Sequence, residues 1–217
     1  MAKNSYLFRK VHSLLGVIPV GFFLIEHLLT NYTATKGHEE FVKQIEWLSS
    51  LPLVLFLEIF GIWLPLLYHA VYGLYVAYTA RNNVTNYGYF RNHMFLWQRV
   101  TGVITFLFVA WHFFETRFQV AIGAAEHGEL GTHMNEILTN PVYFWFYVIG
   151  VLAASFHFCN GMWSFLVSWG ITVGPRAQKF STVIWLVMFV IMGTMFILSL
   201  TAFQGSEFQQ LPVGAKG

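Results

Sequence analysis

Five apolar stretches, each long enough to cross a bilayer, leave this chain very few folds. They fall near 11–30, 53–79, 95–118, 141–169 and 181–203, and a hydrocarbon core about 30 Å thick takes roughly 20 apolar residues per helix. Only 10 % of the 217 residues are charged, against roughly 25 % in soluble domains. So little charge does not suit a water-soluble surface, whereas lipid supplies an apolar solvent. Within lipid the backbone groups must be satisfied inside each segment, which makes long apolar runs helical. The reading is an all-α, integral membrane five-helix bundle forming a single domain over 1–217.

Local signals agree with the span boundaries. Ser49-Ser50 precede Pro52 and Thr139-Asn140 precede Pro141, the pattern of a capping residue followed by a first-turn proline. Gly174-Pro175 breaks the chain before the fifth span. Lys3, Arg9 and Lys10 ahead of an apolar run resemble a signal peptide, but that run contains Glu26 and His27 and lacks a small-x-small cleavage site. It reads as a retained first span. Lys3, Arg9, Lys10, Arg81, Arg91, Arg99, Arg176 and Lys179 lie on one side, and Lys36, Lys43, Arg117 and Lys216 on the other. The richer side is expected to be cytoplasmic, with the N-terminus in it and the protein multi-pass in the cell membrane. There is no aspartate, and all ten glutamates fall in outer loops or outer halves of helices.

The single cysteine, Cys159, excludes a disulfide framework, a four-cysteine iron–sulfur cluster and covalent haem attachment. No glycine-rich nucleotide loop is present. Histidine is the informative residue. His12 and His93 are placed near the cytoplasmic interface, and His38, His127 and His133 in outer loops. His127 and His133, with Glu126 and Glu129, are read as an exposed polar loop and not as a metal site.

His27, His69, His112 and His157 differ, because one falls inside each of the first four spans, at spacings of 42, 43 and 45 residues. An ionisable side chain at membrane depth is costly and points to function. His27 lies 15 residues beyond His12, and His112 15 beyond Trp97, so both reach the outer part of the core at about 1.5 Å per residue. His69 lies 17 residues beyond Pro52, and His157 16 beyond Pro141, so both lie toward the cytoplasm. The expectation is two levels of two ligands each, His69 with His157 and His27 with His112, holding two haems between the first four helices. Zinc prefers three or four ligands at one site. Two axial imidazoles also leave no open position on iron, which suits electron transfer.

Gly73 and Gly161 each follow a histidine by four residues on the same helix face, and are expected to give a flat macrocycle room; close helix packing is the ordinary role. His12-Ser-Leu-Leu-Gly16 and Gln98-Arg-Val-Thr-Gly102 match each other. Offsets of 86, 85, 88 and 88 residues, for Gly16 to Gly102, His27 to His112, His69 to His157 and Gly73 to Gly161, describe a pseudo-repeated two-helix unit with a fifth helix added.

These residues resemble a known family. Arg9-Lys-Val-His-Ser-Leu-Leu-Gly-Val-Ile-Pro-Val-Gly21, Leu64-Pro-Leu-Leu-Tyr-His-Ala-Val-Tyr-Gly73, Gln98-Arg-Val-Thr-Gly102 and His157-Phe-Cys-Asn-Gly-Met-Trp-Ser-Phe165 are similar to the dihaem cytochrome b membrane anchor of succinate:quinone oxidoreductases, in the single-anchor form of Gram-positive bacteria. The resemblance implies two haems b, a high-potential one on His69 and His157 and a low-potential one on His27 and His112. It implies a flavoprotein and an iron–sulfur subunit on the cytoplasmic face, and quinone, usually menaquinone, reduced near the outer haem. No dehydrogenase active site is expected on the chain itself, and no nucleic acid among its partners. A quinol:fumarate reductase subunit is the nearest alternative. Some fumarate-reducing relatives carry a glutamate two residues before the fourth ligand, where this chain has Ser155.

Ser13, Arg99 and Arg176 are candidate propionate partners, with ordinary roles as a cap and as interfacial anchors. Glu26, Glu58 and Glu115 are candidate proton relays near quinone, or solvated interfacial acids. Trp63 and Trp111 are candidate ring contacts, and Pro65 is read as a kink. A haem-free proton-coupled transporter is the rival from another class. A quinol:cytochrome c type cytochrome b, with two histidines on each of two helices, does not match one histidine on each of four.

Overall fold

The computed structural model describes residues 2–209, with side chains from Ser5 onward. Lys216 and the side chain of Lys3, both counted for orientation above, lie outside the described residues. Five helical segments have the length and composition to span a membrane: Ser5–Lys36, Val54–Thr79, Phe90–Ala121, Pro141–Ser168 and Pro175–Ala202. They contain α1 (Ala2–Val17), α2 (Pro19–Tyr32), α4 (Val54–Leu57), α5 (Leu64–Thr79), α6 (Phe90–Glu115), α7 (Arg117–Ala121), α9 (Pro141–Ser168) and α10 (Pro175–Ala202), with α3 (His38–Ser49) and α8 (Leu130–Thr139) between spans. At 28 residues α9 is about 42 Å long, enough for the core and both headgroup layers.

Several helices start earlier than expected, at Ala2, Phe90 and Pro175 where the apolar runs begin near 11, 95 and 181. The extra turns carry Arg9, Lys10, Arg91, Arg176 and Lys179. Such side chains stay helical while reaching toward headgroups, so polarity marks the edge of the hydrocarbon and not of the helix. Lys10 illustrates it: its ammonium donates to the Ser168 carbonyl at 2.5 Å and lies 4.6 Å from the Trp169 ring centre.

Proline shapes the first two spans. Pro19 separates α1 from α2, since it can neither donate to the helix nor avoid the preceding carbonyl. In the second span a π-helical stretch, Glu58–Trp63, leads directly into Pro65 in the first turn of α5. The missing donor is thus absorbed by a local change of winding, the usual company of such stretches.

Half of the apolar window of α9 is buried, more than in any other span. It packs against α6 on one side and α10 on the other, while α1 packs on α5 and α9. Gly150, Ala153, Ala154 and Ser155 lie buried along α9, and small residues are what let helices approach closely in lipid.

The outer connections correct the reading of loops. His38 opens α3, His127 lies in a 3-10 turn and His133 lies in α8. Both short helices are amphipathic and bury Phe41, Met134 and Leu138 with Phe203 and Phe208. Asn135 donates to the Phe203 carbonyl at 2.7 Å and Gln204 to the Leu138 carbonyl at 2.7 Å. The end of the bundle opposite the start of α1 is therefore capped by a packed layer.

Candidate functional site

The structure gathers the four membrane histidines into two pairs. His69 of α5 and His157 of α9 have ring centres 6.1 Å apart, and His27 of α2 and His112 of α6 have theirs 5.7 Å apart. Metal–imidazole bonds of about 2 Å put two ring centres on one ion roughly 6 Å apart, so both separations suit a pair of axial ligands.

The inner pair is fixed through its second nitrogens. His69 donates from Nδ1 to the His12 carbonyl at 2.9 Å, and His157 from Nδ1 to the Gln98 carbonyl at 3.0 Å. A carbonyl only accepts, so each Nδ1 carries the proton and each Nε2 keeps its lone pair. This is how a metal-binding imidazole is usually held. Gln98 is itself tied down: it donates to the His157 carbonyl at 3.0 Å and accepts from Asn160 at 2.7 Å.

His12 and Gln98 are equivalent positions of the pseudo-repeat, and their glycines do equivalent work. A Cβ on Gly16 would strike the His69 ring, and one on Gly102 would lie 2.8 Å from the His157 ring. A Cβ on Gly73 would lie 3.0 Å from His12 Nε2, and one on Gly161 3.2 Å from Gln98 Nε2. Among these four glycines, Gly16 and Gly102 therefore border the histidine rings, while Gly73 and Gly161 border the residues that steady them. His12, read from sequence as an interfacial residue, stacks on His69 at 4.1 Å with rings 5° from parallel. The 86-residue offset that aligns it with Gln98 was the available signal.

The outer pair is held differently. His112 Nδ1 meets the Tyr147 hydroxyl at 3.3 Å. Asn31 donates to the His27 carbonyl at 2.8 Å and approaches His27 Nε2 at 3.3 Å, a long contact. Phe108 lies nearly parallel to His112 at 5.8 Å, and Gly150 leaves the room for its ring.

Around the inner pair, Arg99 donates to the Phe95 carbonyl at 2.5 Å, but its Nε is buried with no partner among the described residues. His12 Nε2 is in the same position. Ser13 is half-buried on α1, and Arg176 is exposed at the start of α10. On the outer side Glu26 accepts from Thr30 at 2.6 Å. The Glu115 carbonyl accepts from His133 at 2.7 Å, which leaves the Glu115 carboxylate out of that bond. Glu58 is engaged by Arg117 through two bonds, 3.0 and 2.7 Å, so its carboxylate ties the π-helical stretch to α7. Trp63 packs on Phe113 at 4.6 Å and Trp111 on Tyr143 at 5.8 Å. Ser155 is fully buried with its hydroxyl unpartnered among the described residues.

Fold and site together define a class: a five-span helical membrane subunit carrying imidazole pairs at two depths. Residues 78–198 match the family described as succinate dehydrogenase/fumarate reductase transmembrane subunit. The chain is also 50 % identical over 200 residues, 92 % of its own length and 98 % of the relative's, to the succinate dehydrogenase cytochrome b558 subunit of Bacillus subtilis (strain 168). It belongs to the succinate dehydrogenase/fumarate reductase transmembrane subunit family.

Proposed function

We propose that this chain is the membrane-anchor cytochrome b subunit of a succinate dehydrogenase, holding two haems b and a quinone, with menaquinone as the quinone it serves. The observation that carries the reading is the paired imidazoles, with Nε2 left free on both inner histidines. His69 and His157 would hold one haem and His27 and His112 the other, and when bound these groups relay single electrons without offering iron a site for substrate. The unpartnered Nε of Arg99 fits a carboxylate of the inner haem, with Ser13 beside it on α1. Glu26 and Glu115 provide carboxylates near the outer pair for proton exchange with quinone. The N-terminus lies in the cytoplasm of a cell-membrane protein. Arg9, Lys10, Arg81, Arg91, Arg176 and Lys179 form a basic end with no acidic residue, which suits docking of the flavoprotein and iron–sulfur subunits there. The dehydrogenase chemistry then belongs to those subunits, and electrons cross from the inner level to the outer.

The test is a redox difference spectrum and potentiometric titration of the purified complex. Two haem components are expected, one lost in both His69→Ala and His157→Ala, the other in both His27→Ala and His112→Ala. Loss of the same component from the His27 and His69 variants would overturn the two-level reading, and absence of haem bands would favour a haem-free transporter.

A further inference from the structure

Tyr147 is almost wholly buried, with 1 % of its surface exposed, at a depth where a phenol without a hydrogen bond costs free energy and a phenylalanine would pack as well. Its hydroxyl meets His112 Nδ1 at 3.3 Å, and its ring stands at 84° to the imidazole. Phe108 braces both rings, edge-on to Tyr147 at 5.2 Å and nearly parallel to His112. Gly150, one turn along α9 from Tyr147, admits Phe108. Tyr147 thus meets the imidazole nitrogen while Phe108, admitted by Gly150, packs beside both rings. The inner histidines use backbone carbonyls for the same purpose, and those cannot be varied by mutation. The outer level has a side chain in that place.

Resting on the ligand assignment above, we propose that Tyr147 is a positioning residue for His112: its phenol oxygen accepts the Nδ1–H, fixes the ring so that Nε2 faces the metal, and sets the reduction potential of the outer haem. With Nε2 on iron, the proton of a neutral imidazole must sit on Nδ1, so the phenol is the acceptor in this bond. Accepting that proton makes the ligating nitrogen more basic. A more basic ligand favours the oxidised, more highly charged iron, so the bond lowers the potential. Removing it raises the potential.

The experiment is potentiometric titration of the assembled complex in membranes, comparing wild type with Tyr147→Phe and with His112→Ala. One hydrogen bond changes the redox equilibrium about fivefold, an upward shift of about 40 mV for a one-electron couple at ~59 mV per tenfold. That shift is expected in the outer component only, with both haems retained and the inner component unmoved. An unmoved outer potential, or equal shifts of both components, overturns the role of Tyr147. If His112→Ala leaves both components in place, the ligand assignment falls and this inference with it. If His112→Ala removes one component while Tyr147→Phe leaves that component's potential unchanged, only the role of Tyr147 falls. Tyr147→Gln against Tyr147→Leu provides a second comparison, with similar bulk and a hydrogen-bonding group in one alone. The leucine variant should titrate above the glutamine variant, and coincident potentials overturn the proposal.

Discussion

At the scale of single residues, the inner histidines depend on absent side chains as much as on present ones. Gly16 and Gly102 sit where any Cβ would meet the rings of His69 and His157, and neither ring can retreat without giving up its carbonyl bond. Gly16→Val or Gly102→Val should therefore cost about 1–3 kcal/mol of overpacking, enough, on the proposed assignment of one haem to His69 and His157, to cut retention of that haem about tenfold while the other component persists. Gly88→Ala, at a position with nothing within 4 Å of a Cβ, is the control, and haem content per assembled complex is the measurement. Equal loss in the control would mean general misfolding and not a local clash. That one histidine lies in each of the first four spans, and that His69 nears His157 and His27 nears His112, was legible from spacing, because each step of the chain through an apolar span converts residue number into depth. His12, Tyr147 and Phe108 were not. Their roles come from which face of a helix meets which neighbour, and an aromatic residue in a membrane span is too common to announce itself.

At the scale of elements, the spans were legible as apolar runs, whereas their ends and connections were not. Hydropathy reports lipid contact, so the charged first turns of α1, α6 and α10 fell outside it although they are helical. The short α3 and α8 were hidden for the opposite reason: each is polar enough to read as a loop, and only packing of Phe41, Met134 and Leu138 on Phe203 and Phe208 makes them stable. The π-helical stretch Glu58–Trp63 is a third case, signalled only by Pro65 downstream. Its outer end is fastened by the Glu58–Arg117 pair, whose side chains are only 20 and 29 % exposed. Such a pair lies between exposed bridges worth under about 1 kcal/mol and buried ones that cost about 3–5 kcal/mol to break. A double-mutant cycle of Glu58→Gln and Arg117→Gln, read by thermal unfolding of the solubilised complex, should give a coupling of about 1–2 kcal/mol. Additive single effects would show that the pair does not hold the stretch to α7.

At the scale of the whole molecule, the proposed pair of haems would make the bundle a path with a direction across the membrane. On the proposed function, electrons would enter at the basic end that carries the N-terminus and leave near His27 and His112, moving toward the positive side, downhill for negative charge. Quinol protons taken up on the outer side, through groups such as Glu26 and Glu115 in this reading, would neutralise that charge where it arrives, and each turnover would then dissipate potential. One charge crossing the full membrane exchanges about 2.3 kcal/mol per 100 mV, and two electrons up to roughly 4.6 kcal/mol. A low-potential menaquinone makes that assistance matter, because succinate is a weak reductant for it. Succinate–menaquinone activity in sealed vesicles of known orientation should therefore fall when an uncoupler collapses the potential, and fall less with a quinone of higher potential, for which the chemical driving force suffices alone. Unchanged menaquinone activity with the potential verifiably gone would mean that electrons do not traverse the bundle, and the quinone would then have to meet them at the inner level, beside His69 and His157.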